Sequence, residues 1–281
     1  MILFKKVYKL QNYLTTLKSD KKSIGFVPTM GALHSGHLSL IQKAKEENDC
    51  VVCSIFVNPT QFNNATDLEK YPRTAAKDIE LLTSVGTDVL LMPPVKEVYP
   101  DDLDTTLELD FGKLATTMEG EFRPGHFDGM AQVVNRMLNM VKPHSLYMGQ
   151  KDFQQFSIIQ KMLNINGKPT RLKVCPIVRE SDGLAMSSRN TRLTKNQRDE
   201  APFIYKTLNR AKEKFKTESI NTVTNWVKNQ FKNNHILDLE YFEIANEATL
   251  KSAKHKRKDN NYRAFIAVFA GEVRLIDNMA L

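Results

Sequence analysis

One run constrains the fold more than any other. Residues 50–57 (CVVCSIFV) form an almost unbroken apolar stretch, rich in β-branched side chains and stopped by Asn58-Pro59. So short a run has no polar face to give to water, which marks a strand covered on both sides, as in a parallel sheet. Its neighbours repeat the theme. Strand patterns at 23–28, 88–92 and 145–148 alternate with helical patterns at 36–48, 74–84, 128–141 and 152–164, and Gly86 stands where a C-terminal cap belongs. Alternation of this kind implies right-handed crossovers. The expectation is an α/β fold: a Rossmann-like, doubly wound parallel sheet over residues 1–176. After Pro176 the pattern changes to helices at 195–216 and 220–233, then strands at 239–245, 264–270 and 273–276. Gly271-Glu272 between the last two is a hairpin signal. Residues 177–281 are therefore expected to form a second, smaller α+β domain.

Composition removes several classes. No apolar stretch approaches the ~18 residues of a membrane span, and lysines interrupt the apolar start, so no secretory signal is read there. Three cysteines, Cys50, Cys53 and Cys175, are too few for a disulfide framework and fit a reducing cytoplasm. The Cys50-x-x-Cys53 spacing matches a redox pair, but residues three apart in a strand point to opposite faces, so both are expected to be packing groups. The formal net charge of +8 is local. Residues 1–22 and 251–263 each carry net +5, and the other 246 residues sum to −2. No DNA- or RNA-reading motif accompanies the basic patches, so they are read as solvated surface and no nucleic-acid or membrane partner is expected.

Open α/β sheets bind ligands beyond the carboxyl ends of their strands, so the residues after each strand carry the candidates. His34-Ser35-Gly36-His37 opens a helix, whose N–H groups and positive dipole end suit a phosphate. The two imidazoles fit phosphate donors or a structural pair at a helix cap. Zinc is disfavoured, because the glutamate of H-E-x-x-H and a third ligand are both missing. Gln61 and Gln155, each after a strand, could hold a hydroxy-acid without adding charge, or could be ordinary exposed amides. Lys151 could reach a phosphate beside Asp152, itself a possible helix cap. Met186-Ser187-Ser188-Arg189, after Asp182-Gly183, could close over a polyphosphate as a mobile loop or be a solvated turn. Arg123-Pro124-Gly125-His126-Phe127 reads as an anion-binding loop or a plain turn. Neither a P-loop nor a G-x-G-x-x-G fingerprint is present.

Taken in order, FVPTMGALHSGH, SIFVNPTQF, YPRT, EGEFRPGHF, GQKDFQQ, DGLAMSSRN and RLIDN resemble the pantothenate synthetase (pantoate–β-alanine ligase) family from about residue 24 to residue 278. That family resembles the wider H-x-G-H nucleotidyltransferases, and such an enzyme acting on another small acceptor is the alternative. The resemblance implies ATP-dependent condensation of (R)-pantoate with β-alanine through a pantoyl adenylate, releasing pyrophosphate and AMP. Mg2+ would accompany ATP as substrate, with no tightly bound cofactor and no metal held by the protein. It implies that Met30, Gly31, Ala32, Leu33, His34, Ser35, Gly36 and His37 wrap ATP, together with Gly149, Gln150, Lys151, Asp152, Val178, Met186, Ser187, Ser188 and Arg189. His37, His34 and Lys151 would be catalytic, with His37 as proton donor. Gln61 and Gln155 would hold pantoate, and Gln61 would also meet β-alanine. Asn58 and Arg123 are further candidates, and a cytoplasmic homodimer is implied. Some relatives carry glutamate where Gln150 stands, and residues 254–263 are longer and more basic than the family's usual turn.

Overall fold

The computed structural model describes residues 1–281, which fall into two compact units: Met1–Gln150 with Gln154–Pro176, and Lys151–Phe153 with Ile177–Leu281. In the first, six strands form one sheet: β1 (Ile2–Phe4), β2 (Ile24–Thr29), β3 (Cys50–Ile55), β4 (Val89–Leu91), β5 (Ser145–Gly149) and β6 (Arg171–Cys175). Their order is β1-β4-β3-β2-β5-β6 and every pairing is parallel. The chain winds outward from β2 through β3 and β4, then returns to place β5 on the other side of β2. The order reverses between β2 and β5, and such a reversal is where doubly wound sheets open a ligand crevice.

β3 is buried along almost its whole length. Its side chains alternate between two cores, Cys50 and Val52 into one and Val51 and Cys53 into the other. The first core is sealed by α1 (Val7–Ser19), through Leu10 and Leu14, by α7 (His126–Val141) and by α8 (Phe153–Ile165). The second is sealed by α2 (Ser35–Glu47) and α4 (Ala75–Ser84), through Leu40, Ile41, Ala44 and Leu82. Short helices α3 (Ala65–Glu69), α5 (Val95–Val98) and α6 (Glu119–Phe122) lie in the connections. The cysteines face opposite ways, as the period of a strand requires. Burial pushes the Cys50 thiol up to about 11 and the Cys53 thiol up to about 12, and raises Cys175 as well. A thiol that stays protonated is a poor nucleophile. Ellman's reagent at pH 8 is therefore expected to titrate no thiol in the native protein and three after denaturation. Rapid labelling of the folded chain would contradict this burial.

In the second unit, β7 (Leu237–Asn246), β8 (Tyr262–Ala270) and β9 (Val273–Ala280) form an antiparallel sheet in that order. One face is covered by α10 (Phe203–Thr217) and α11 (Ile220–Lys232), which bring Ile204, Leu208, Phe215, Val223 and Val227 against Phe242, Ile244, Ile266 and Val268. Gly271, with φ +59°, makes the tight β8–β9 turn. The single helix expected over 195–216 is instead two, α9 (Lys195–Glu200) and α10. Pro202 interrupts it, since its ring removes an N–H and crowds the preceding turn. The last strand also runs on past Ile276 to Ala280, because Asp277 and Asn278 are buried with polar partners instead of ending the strand.

Several elements escape the sequence patterns, the short helices α3, α5 and α6 among them. β1 is only three residues long, and β6 is a five-residue edge strand of which only Cys175 is fully buried. α1 holds Lys9 on its exposed side, half-buries Lys18, which donates to the Val141 carbonyl at 3.3 Å, and fully buries only Leu10 and Leu14.

Candidate active site

The carboxyl ends of β3, β2 and β5 lie side by side, so the three polar segments that follow them share one rim. The segment after β2 turns sharply. Gly31 has φ +79° and Ala32 φ +48°, the left-handed region that glycine tolerates and alanine resists. Asp78, only 1% exposed on α4, pins this turn. Its Oδ2 accepts from the Ala32 N–H at 3.0 Å and its Oδ1 from the Leu33 N–H at 2.8 Å, while the Thr74 hydroxyl donates to Oδ1 at 3.1 Å. Nothing in the residue pattern had singled out Asp78. The two backbone N–H groups it holds lie more than 40 positions away, and its local traces are only a carboxylate in the first turn of α4 and the nearby Thr74 hydroxyl.

The turn delivers His34 as the N-cap of α2. Its Nδ1 accepts from the Gly36 N–H at 3.2 Å, so a neutral ring carries its proton on Nε2. The His34 and His37 ring centroids lie 4.1 Å apart. Ser35 and Gly36 are the first two residues of the helix between them. This is a helix N-terminus bearing two adjacent imidazoles, suited to an anion.

The segment after β3 meets it. Gln61, 8% exposed, donates from Nε2 to Met30 Sδ at 3.1 Å and accepts from Asn58 Nδ2 at 3.2 Å. Asn58, 1% exposed, also donates to the Gly129 carbonyl at 3.1 Å and accepts from the Tyr99 hydroxyl at 2.9 Å. Buried His126 donates from Nδ1 to the Gln61 carbonyl at 2.9 Å. Gln61 is thus a fixed, inward amide and not an exposed loop residue. The close approach depends on Gly129, where an added Cβ would lie 2.3 Å from the Thr60 carbonyl oxygen. Gly129→Ala is expected to destabilise the protein by about 1–3 kcal/mol, the usual penalty of overpacking, read as a lower urea midpoint at unchanged slope.

After β5, Gly149 has open space where a Cβ would be, and Gln150–Asp152 form a 3-10 turn. The helix expected from Asp152 therefore begins at Phe153, and Asp152 lies in the turn with Oδ1 3.6 Å from Lys151 Nζ. Gln154 is buried and committed to the backbone. It accepts from the Glu119 N–H and donates to the Leu114 and Thr117 carbonyls. Gln155, one position on, is half-buried. The segment at 123–127 is only partly a loop, because His126 already starts α7 and Arg123 lies 3.6 Å from Glu119.

In the second unit, Arg179 bridges to Ala185 as an isolated β-pair, and the Met186 N–H donates to the Val178 carbonyl at 3.0 Å. Ser187 caps a 3-10 turn over Ser188–Arg192 by accepting from the Arg189 N–H at 3.3 Å. Gly183 sits at φ +95° against Tyr205, whose ring would lie 2.1 Å from an added Cβ, so only glycine fits here.

A doubly wound sheet with a histidine-bearing helix N-terminus beside fixed amides at its rim is the frame of an α/β protein suited to small anionic ligands. No group of three or more histidine, cysteine, aspartate or glutamate side chains is arranged to hold a metal. The model of the pantoate-beta-alanine ligase family matches residues 2–280, and the chain belongs to that family. It is a ligase that forms pantothenate from pantoate and β-alanine. A pantothenate synthetase of Christiangramia forsetii is 51% identical over 100% of this chain and 99% of its own length. One from Flavobacterium psychrophilum is 47% identical, with both chains covered completely. The crystal structure of a Thermus thermophilus pantothenate synthetase superposes with a TM-score of 0.92 at 36% identity, covering 99% of each chain. The Francisella tularensis pantoate-beta-alanine ligase, complexed with β,γ ATP and β-alanine, gives a TM-score of 0.81 at 38% identity over 100% of this chain and 97% of its own.

Proposed function

We propose that the ligase works in two steps with ATP as co-substrate. A pantoate carboxylate oxygen attacks the α-phosphorus, the bond to the bridging oxygen breaks, and pyrophosphate leaves. The amine of β-alanine then attacks the acyl carbon of the pantoyl adenylate, expelling AMP and forming the amide. The observation that carries this reading is the His34 cap. With Nδ1 accepting from Gly36, the neutral ring carries its donor at Nε2–H, and the His37 ring lies tilted beside it, centroids 4.1 Å apart, at the positive end of α2. His37 donates to the departing pyrophosphate. Lys151 supplies a cation to the same phosphates, with Mg2+ arriving as part of the ATP substrate.

Met30, Gly31, Ala32, Leu33, Ser35 and Gly36 line ATP with the two histidines, and Gly149, Gln150 and Asp152 add the segment after β5. Val178 meets the adenine through its backbone, and Met186, Ser187, Ser188 and Arg189 bind the triphosphate. Gln61 and Gln155 hold pantoate, and Gln61 also meets β-alanine. The fixed amide of Gln61 and the backbone commitment of neighbouring Gln154, which leaves Gln155 for a ligand, support this division. The binding of ATP and β-alanine by the Francisella tularensis relative supports it too. Catalysis is positioning and charge stabilisation, with no covalent enzyme intermediate. We assign the enzyme to the cytoplasm as a homodimer, in keeping with three reduced, buried thiols and with the family resemblance.

The test is ATP–pyrophosphate exchange with and without pantoate, followed by AMP release on adding β-alanine. Exchange should require pantoate, and AMP should appear only with both substrates. Exchange that ignores pantoate would defeat the adenylate route.

A further inference from the structure

The C-terminal Asp277-Asn278 pair belongs to a motif that the proposed chemistry leaves without a task. Adjacent on β9, the two residues face opposite sides of the sheet. Asp277 grips Arg179 through two hydrogen bonds, at 2.6 and 3.0 Å. Asn278, 1% exposed, faces the segment 151–153. Its Nδ2 donates to the Lys151 carbonyl at 2.8 Å, and its Oδ1 accepts from Arg263 Nη1 at 2.7 Å. The same Arg263 guanidinium lies over the Phe153 ring at 4.6 Å, and Phe153 meets Phe265 edge-on at 5.5 Å. Phe265 is the cross-strand partner of Asn278. Lys151 and Phe153 are thereby held from one patch of the β8–β9 sheet. An amide buried this deeply would be costly without partners, and here both of its ends are matched to groups of opposite polarity.

We propose that Asn278 is a positioning residue for Lys151. By holding the Lys151 carbonyl it fixes the backbone from which the lysine side chain reaches the ATP phosphates. The inference rests on the catalytic assignment of Lys151 made above. A shift of about 1 Å at a reacting group can cost roughly 10²-fold in rate, so one backbone hydrogen bond here has a kinetic consequence.

Asn278→Asp isolates the contact. It keeps an acceptor for Arg263 and replaces the donor to Lys151 with an oxygen. Pantoate-dependent ATP–pyrophosphate exchange should fall by about 10–100-fold when assayed well below the thermal midpoint, which itself should drop because a carboxylate oxygen then faces the Lys151 carbonyl. In a Lys151→Ala background the same substitution should cause no further loss, because the two residues act through one group. Asn278→Ala, run through the same cycle, should give the same non-additivity without a new charge. Losses that add in both cycles, or exchange within twofold of the parent in a folded Asn278 variant, overturn the positioning role while leaving Lys151 in place. Exchange unaffected by Lys151→Ala overturns the assignment of Lys151, and this inference falls with it.

Discussion

Replacing His37 with alanine is expected to lower pantoate-dependent exchange by about 10²–10³-fold, the loss typical of one preorganised donor to a developing oxyanion. The fold should survive. His37 is the third residue of α2, with its N–H on the His34 carbonyl at 2.8 Å, and alanine keeps that backbone bond. His34 should behave differently. Its Nδ1 caps the helix, so His34→Ala should lose activity and also about 0.5–2 kcal/mol of stability. His34→Asn, which restores a capping oxygen, should recover the stability but not the rate. Stopped-time exchange assays with thermal melts on the three variants separate the two roles. Parent-like turnover in His37→Ala would remove that side chain from the chemistry.

The second large effect lies at a residue that touches no substrate in the proposed mechanism. Asp78→Ala leaves two buried N–H groups, those of Ala32 and Leu33, without their carboxylate acceptor. At about 1–3 kcal/mol for each unsatisfied group, the expected destabilisation is about 2–6 kcal/mol. Ala32 is held at positive φ partly by that carboxylate. Its release should disorder the turn that delivers His34 and raise the KM for ATP as well as lowering kcat. Asp78→Asn keeps one acceptor oxygen but sets an amide N–H against the other backbone donor, so an intermediate loss is expected. Chemical denaturation and steady-state kinetics on the two variants check this. Unchanged KM for ATP in a destabilised Asp78→Ala protein would make Asp78 a purely structural anchor.

Much of the fold was legible in the residue order. The apolar run at 50–57 reads as a doubly buried strand, and its Cys50–Ile55 part forms one, with Cys50 and Cys53 facing apart because the side-chain period of a strand is two. The segments after β2, β3 and β5 were identifiable as the polar ends of parallel strands. His34, His37, Gln61 and Lys151 stood out because each is a polar or ionisable side chain at such an end. What misled were places where tertiary partners reversed a local signal. Asp277 and Asn278 look like the end of a strand, yet Arg179, Arg263 and the Lys151 carbonyl let them continue it. His126 looks like part of an anion-binding loop, yet it is buried at the start of α7 and holds the Gln61 carbonyl.

Residue order alone, then, was enough for the parallel sheet, the antiparallel strands that follow it and the candidate side chains at the strand ends, because periodicity and residue type are local properties. Which polar groups hold those side chains in place was settled only in three dimensions. Asp78 meets Leu33 across 45 positions, and Asn278 meets Lys151 across 127. A buried carboxylate or amide is tolerable only when its partners arrive with complementary donors and acceptors. Those partners are brought together by the packing of the sheets and helices, and no local pattern in the chain announces them.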